Sequence, residues 1–445
     1  MFVTSGRLLK RKESFPMEDI QAVDIALSAE PSPDLPEALQ APTRQVGRGF
    51  MFALTASAIS LYILYAGIGA LLLPFQIGLL APGSKVAILS FFTSITVLIA
   101  LFANPLAGAF SDRTTSRFGR RRPWILVGGL LTVVGLLFMW RATSIPLLFI
   151  GYCFVELFSN IALATLVATI PDQVPENQRG TVSGIFGLAT GLGGILGAIL
   201  AGQIFKSAPT NAYVVMFLIV LLTTIPFALF LHDKVLPKGY MPAFHLGAFL
   251  KNFWVNPRKY PDFGWAWLTR FVPFVGYFLG ITYIFYYLED VVKYPAALQG
   301  ASTFSIIAAV VSLLSTVLGG FLSDRLKRRK LFVIAGMCIM AISFLLLALF
   351  QSWIAVLVAA AVLGFGLGAY LAVDVAIVTL VLPSAKNRAK DMGIINIANT
   401  LPHSVAPVLA GFILALTHSY SFLYIAATIF VLLGILTVMP IKAVR

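Results

Sequence analysis

Apolar and polar residues follow one another along this chain in long blocks. Twelve blocks are apolar almost throughout, at 50–73, 87–110, 123–141, 146–170, 180–204, 211–231, 264–288, 301–322, 331–350, 354–382, 392–416 and 420–440. A helix rising 1.5 Å per residue needs roughly 20 apolar residues to cross about 30 Å of hydrocarbon, so each block predicts one transmembrane helix. The connections are short except for Leu231 to Gly264, which divides the blocks six and six. The pattern predicts an all-α polytopic membrane protein with two six-helix halves, 50–231 and 264–440. Residues 1–49 are polar, Pro-containing and mixed in charge, as a disordered cytosolic tail is, and 441–445 form a second short tail. In the linker 232–263, Phe244, Leu246, Phe249, Leu250, Phe253 and Trp254 surround Lys251, which fits a spacer with an amphipathic helix at the inner interface.

Composition agrees with this pattern. Hydrophobic residues make up 59% of the 445 and charged residues only 11%, against about 25% charged in soluble chains. That excludes an ordinary cytosolic enzyme, a disordered protein and a disulfide-stapled domain. Cys153 and Cys338 lie inside apolar runs, and the four histidines are scattered, so no metal or cofactor set is expected. The net charge of +14 does not mark a nucleic-acid binder, because the basic residues sit in short clusters between the apolar blocks. Of the Lys and Arg residues, 27 fall in the two tails and alternate loops. The other set of loops holds Lys85, Arg141, Lys206 and Lys293, and Arg270 lies within the seventh span. That asymmetry predicts a multi-pass protein of the cytoplasmic membrane with both termini in the cytoplasm.

The chain repeats itself. Gly108-Ala-Phe-Ser-Asp112-Arg113 ends span two, and Gly320-Phe-Leu-Ser-Asp324-Arg325 ends span eight. Arg179-Gly180 opens span five as Arg388-Ala389 opens span eleven. Two parallel repeats create a cavity near the midplane, with alternating access by rocking of one half against the other. Asp112, Arg113, Arg117, Gly119, Arg120, Arg121 and Arg122 pack opposite charges at a helix–loop–helix junction. A carboxylate there can pair with the arginines and face the N-terminus of a neighbouring helix. Such a cluster is expected to hold the cytosolic side closed and to break on inward opening; the alternative is that the arginines only set topology. Asp324 and Arg325 repeat it less completely, and Gly108 and Gly320 are expected to allow close helix approach.

The segment 108–125 resembles the loop 2–3 signature of the major facilitator superfamily. Its inserted Thr115-Ser116-Arg117-Phe118 before Gly119 is similar to the glycoside–pentoside–hexuronide:cation symporters and the sucrose transporters. The resemblance implies the twelve-helix major facilitator fold, with spans one, four, seven and ten lining the cavity. Glu156-Leu-Phe-Ser-Asn160 resembles the Asp-x-Ala-Asn-Asn segment of sucrose transporters, which implies that Glu156 couples proton to sugar. Those relatives carry an Arg further along span four, where this chain has Val167. The melibiose-type carboxylate of span one is also missing, which favours protons over sodium as the coupling ion.

The charges inside the spans are three: Glu156, Arg270 and Asp374. Each costs about 2.5–3.5 kcal/mol at a helix centre, so each is expected to face protein or water. Helix rise puts Glu156 roughly 21 Å from the inner end of its span, Arg270 roughly 9 Å and Asp374 roughly 12 Å. Arg270 and Asp374, opposite in charge and similar in depth, are expected to pair, as a gate, a sugar site or a structural bridge. Asn104 precedes Pro105 where relatives have Gln or Asp, and lines the cavity or bonds backbone. Asn396, Asn399 and His403 form a polar stripe on span eleven, expected to serve helix–helix hydrogen bonding. Aromatics around span seven are either interface anchors or sugar-stacking platforms. The expected function is proton-coupled symport of a glycoside or small sugar by a monomer in the lipid bilayer. Proton-coupled efflux of drugs or metabolites is the alternative, and an enzyme is not expected because no nucleophile–base pair or metal set can be assembled.

Overall fold

A computed structural model describes residues 36–40, 42–240, 247, 260–326, 328–381, 394, 395 and 397–441. Twelve helices among them are long and apolar enough to cross a membrane. They are α1 (Arg48–Leu80), α2 (Lys85–Arg113), α3 (Arg122–Trp140), α4 (Ile145–Gln173), α5 (Glu176–Ile204) and α6 (Ala212–Phe230). The second six are α7 (Pro261–Asp290), α8 (Ala297–Leu326), α9 (Arg329–Leu349), α10 (Trp353–Val381), α11 (Pro402–Thr417) and α12 (Tyr420–Val438). No strand occurs among the described residues. Several helices start on proline, where the missing amide has no intrahelical partner to lose: Pro123, Pro146, Pro261 and Pro402. The amphipathic helix expected in the linker, most of the N-terminal tail, Arg388 and Asn396 lie outside the described residues.

The halves pack by the same plan. Within the first, α1 packs on α5 and α6, α3 on α4 and α6, and α2 on α4. In the second, α7 packs on α11 and α12, α9 on α10 and α12, and α8 on α10, which is the same set with six added to each number. Lipid tails are as apolar as leucine, so helix association depends on close van der Waals approach at small residues. Gly135 and Gly151 show this at the α3–α4 crossing: a methyl group on either would lie 2.9–3.0 Å from the other's carbonyl oxygen. Gly336 and Gly366 repeat it at the α9–α10 crossing, at 2.7–2.8 Å.

Between the halves, α2 meets α11 and α5 meets α8. Call the side carrying loop 2–3 the basic face. Among the described residues, the hydrogen bonds across the halves lie at mid-membrane or toward the other face. Lys85 Nζ bonds Glu289 at 2.5 Å and Asp290 at 2.7 Å. The Tyr286 hydroxyl donates to the Pro74 carbonyl at 3.0 Å, and Ser90 and Tyr283 share a bond of 2.6 Å. Gln203 Nε2 reaches Gln299 O and Thr303 Oγ1, both at 3.1 Å. Toward the basic face, Gly180, Gly184 and Gly187 of α5 have no atom within 4 Å of where a side chain would begin. Among the described residues, the halves are joined on the far side and stand apart toward the basic face. Among the described residues, Gly108 and Gly320 too have no atom within 4 Å of where a side chain would begin, so the close helix approach expected at them is not seen there.

Candidate functional site

Glu156 lies mid-length on α4, half-buried, in a chain of polar groups. Asn160, one turn on, donates its amide to Glu156 O at 2.7 Å and to the carboxylate Oε2 at 3.3 Å. Asn104 of α2 donates to Asn160 Oδ1 at 3.0 Å. Tyr152, one turn back, and Tyr65 of α1 lie beside the same carboxyl group. The face of α4 that carries Glu156 continues to Val167, eleven residues on and so about 20° round the helix at 3.6 residues per turn. Val167 is 44% exposed, so this face is progressively uncovered toward the basic side. Three of the site residues expected from the sequence, Asn104, Glu156 and Asn160, are brought together.

Arg270 of α7 and Asp374 of α10 do pair. Arg270 Nε donates to Asp374 Oδ1 at 2.8 Å and Nη2 donates to Oδ2, a bidentate fork, with both residues buried. Tyr370 lies over the pair, its hydroxyl 3.2 Å from Asp374 Oδ1 and 3.1 Å from the Thr269 carbonyl. Two opposite charges buried in hydrocarbon satisfy one another's hydrogen-bonding capacity best in this planar geometry.

At the basic face, Arg121 pairs with Asp112 and, at 2.7 Å, with Asp172 at the end of α4. It also donates to Ser111 Oγ at 2.5 Å. Arg120 reaches the other oxygen of Asp172 at 2.7 Å. Asp233, after α6, accepts the backbone amides of Arg121 at 2.5 Å and Arg122 at 2.9 Å, capping the N-terminus of α3. Its carboxyl is shifted above the ordinary carboxylate range by burial, against the pull of those two amides. Gly119 is required beside it: its φ is +93°, and a side chain there would run into the Asp233 carboxylate. Arg113 folds back on Ala109 O at 2.9 Å, and Arg117 lies over the exposed Phe118 ring. The partners named here all belong to the first half. These bonds tie α2, α3, α4 and the end of α6 to one another. Asp172 and Asp233 were not singled out by the sequence; the signal for them was loop 2–3 itself, with five basic residues and Asp112 alone to balance them.

The second half keeps less of this. Arg325 is exposed, and the side chain of Asp324 lies outside the described residues. On α11 and the turn before it, Asn396 lies outside the described residues, and the buried Asn399 Oδ1 has no partner among them. His403 is exposed and rests on the ring of Phe278, centroids 3.5 Å apart.

Several known proteins resemble parts of this chain. A sucrose transport protein of Arabidopsis thaliana is 28% identical over 149 residues, covering 27% of this chain and 25% of its own. A general alpha-glucoside permease of Schizosaccharomyces pombe is 29% identical over 119 residues, covering 23% and 22%. A proton-associated sugar transporter A of Homo sapiens is 52% identical over 42 residues, 9% of this chain and 6% of that one. The chain spans about a quarter or less of the length of these relatives. A solved bacterial homolog of the human lysosomal transporter Spinster, in an inward-facing and occupied conformation, superposes with a TM-score of 0.68 at 17% identity, covering 89% of this chain and 96% of that one. The family model described as Major Facilitator Superfamily matches residues 47–319 and 307–444. With twelve spans in two matching halves, the chain belongs to the major facilitator superfamily.

Proposed function

We propose that this transporter carries a glycoside or small sugar into the cell together with a proton, from a site at mid-membrane between the halves. The basic face is then the cytoplasmic one, with both chain termini on it, as the distribution of Lys and Arg favours. One observation carries the reading: Glu156 is an acid deep in the bundle, half-buried, with amide and hydroxyl neighbours but no cation paired to it among the described residues. Arg270 and Asp374 neutralise each other under Tyr370, so Glu156 is the group left to change charge as the halves move.

The chemistry of its surroundings favours a proton over a metal cation. Asn160 presents its amide N–H to the carboxylate, where a sodium ion would need oxygen. In the cycle, Glu156 loads a proton when the site faces outward and releases it toward the basic face in the conformation seen here. The sugar relatives support the substrate class through their names. Radiolabelled sugars offered to proteoliposomes under an imposed pH gradient test the reading. Accumulation of at least one glycoside that collapses with the gradient supports it, whereas extrusion of dyes with no sugar accumulated identifies an efflux antiporter.

A further inference from the structure

Glu156 has different company on its two sides. At about 100° per residue, Asn160 stands roughly 40° to one side of it on α4 and Ser159 roughly 60° to the other. The Asn160 side is bonded: its amide reaches Glu156, and its carbonyl oxygen accepts from Asn104 of α2. On the Ser159 side stands Tyr65 of α1, which faces both Ser159 and the Glu156 carboxyl group. There two hydroxyl groups are left over. Ser159 is wholly buried, yet its Oγ has no hydrogen-bond partner among the described residues, and neither has the buried hydroxyl oxygen of Tyr65. The two oxygens are neighbours without bonding geometry.

Ser159 is an exception on its own helix. Thr165 and Thr169 return their hydroxyls to the carbonyl four residues back, at 2.8 and 2.9 Å, the usual recourse of a hydroxyl in an apolar helix. Buried polar groups that lack a protein partner are ordinarily bonded to water. Both oxygens are sealed from the opening, which suits one enclosed water and not a sugar hydroxyl.

A local irregularity of α1 puts Tyr65 in this place. Residues Ile68–Leu72 form a π-helical turn, and Pro74 just beyond it has no N–H to offer the Ala70 carbonyl. A π turn holds one residue more than an α turn. Everything on its basic-face side is therefore rotated by about 100° relative to an unbroken helix. Gly67 holds that rotation: a methyl group there would lie 2.9 Å from the Gly197 carbonyl oxygen of α5 and would strike Met216 of α6.

We propose, building on the proton reading of Glu156, that Tyr65, Ser159 and the Glu156 carboxyl group bind one water molecule, which solvates the carboxylate once its proton has left. Tyr65 donates to the water, and the water donates to the carboxylate and to Ser159 Oγ. While Glu156 is protonated, its own O–H donates to the water instead. Bonds to a charged oxygen are the stronger ones, so the site favours the charged form and eases release toward the basic face. Tyr65 and Ser159 are positioning residues: they act through the water and touch no sugar.

The test is infrared difference spectroscopy on the full chain in proteoliposomes, titrated across the neutral range in choline chloride. The carboxylic-acid C=O band that Glu156→Gln abolishes reports Glu156 alone. In the unaltered protein, a water O–H band that shifts in heavy-oxygen water is expected to change together with it. Tyr65→Phe and Ser159→Ala, taken from the folded fraction after size exclusion, are expected to remove the water band. Each is also expected to raise the midpoint of the C=O titration by about one pH unit, because one bond to a charged group is about a tenfold effect. Ser159→Thr, which keeps the hydroxyl, is expected to preserve both. A C=O titration with no water band, or midpoints unmoved in both variants, overturns the water site and leaves Glu156 as the proton carrier. A midpoint lowered when sodium chloride replaces choline chloride gives the place to a sodium ion and overturns it too. If no C=O band depends on Glu156, the proton reading itself falls.

Discussion

Arg270 and Asp374 show how far a single residue's position in hydrocarbon can be read. Opposite charges at similar depth in different spans must find each other or water, and they form a buried fork. Asp374→Asn leaves the Arg270 guanidinium buried without its counter-charge, at a cost of about 3–5 kcal/mol. It is expected to lower the apparent melting temperature in detergent sharply, and Arg270→Gln combined with Asp374→Asn to recover most of the loss. A double variant as unstable as the single one would show that the pair does more than neutralise. Glu156 was legible as a mid-membrane acid, and its bond to Asn160 follows from the four-residue spacing of neighbouring turns. His403 was not legible: helical periodicity separates packed from unpacked faces, but does not tell lipid from an aqueous opening.

At the scale of elements, the repeated Gly-x-x-Ser-Asp-Arg segments disclosed two halves, and the helix packing reproduces one plan twice. The spans were legible to within a few residues, because length and hydrophobicity are what a bilayer selects, except that α1, expected at 50–73, runs on to Leu80. The packing inside the basic cluster was not, since Asp172 and Asp233 come from α4 and the end of α6, distant in sequence from loop 2–3. Asp172 bridges two arginines at 15% side-chain exposure, whereas Asp112 is 45% exposed and pairs with one. Asp172→Asn is therefore expected to destabilise the detergent-solubilised protein more than Asp112→Asn, whose exposed pair contributes no more than about 1 kcal/mol. Asp233→Ala removes the cap of α3 and is expected to cost about 0.5–2 kcal/mol. Thermal denaturation of the three side by side gives the order, and Asp112→Asn as the most damaging change would contradict it.

For the whole molecule, the two halves are fastened on the face away from the basic loops, through Lys85, Tyr286 and Gln203. Transport by rocking requires these contacts to part. A protein with Cys153 and Cys338 replaced by serine, carrying Gln203→Cys and Thr303→Cys, is expected to stop transporting when a short reducible cross-linker joins the new thiols. Reductant should restore the activity; undiminished transport in the cross-linked state would mean that this contact does not open. Which conformation the chain adopts was not legible, because both faces of α5 and α8 suit either state.

The central claim is that Glu156 exchanges a proton as the halves swing. Its most direct measurement is labelled-sugar movement in proteoliposomes containing Glu156→Gln, with and without an imposed pH gradient. The account predicts that uphill accumulation driven by the gradient is lost while exchange of labelled for unlabelled sugar persists, because the amide keeps the neutral form's shape and cannot release a proton. Gradient-driven accumulation at the rate of the unaltered protein would contradict it.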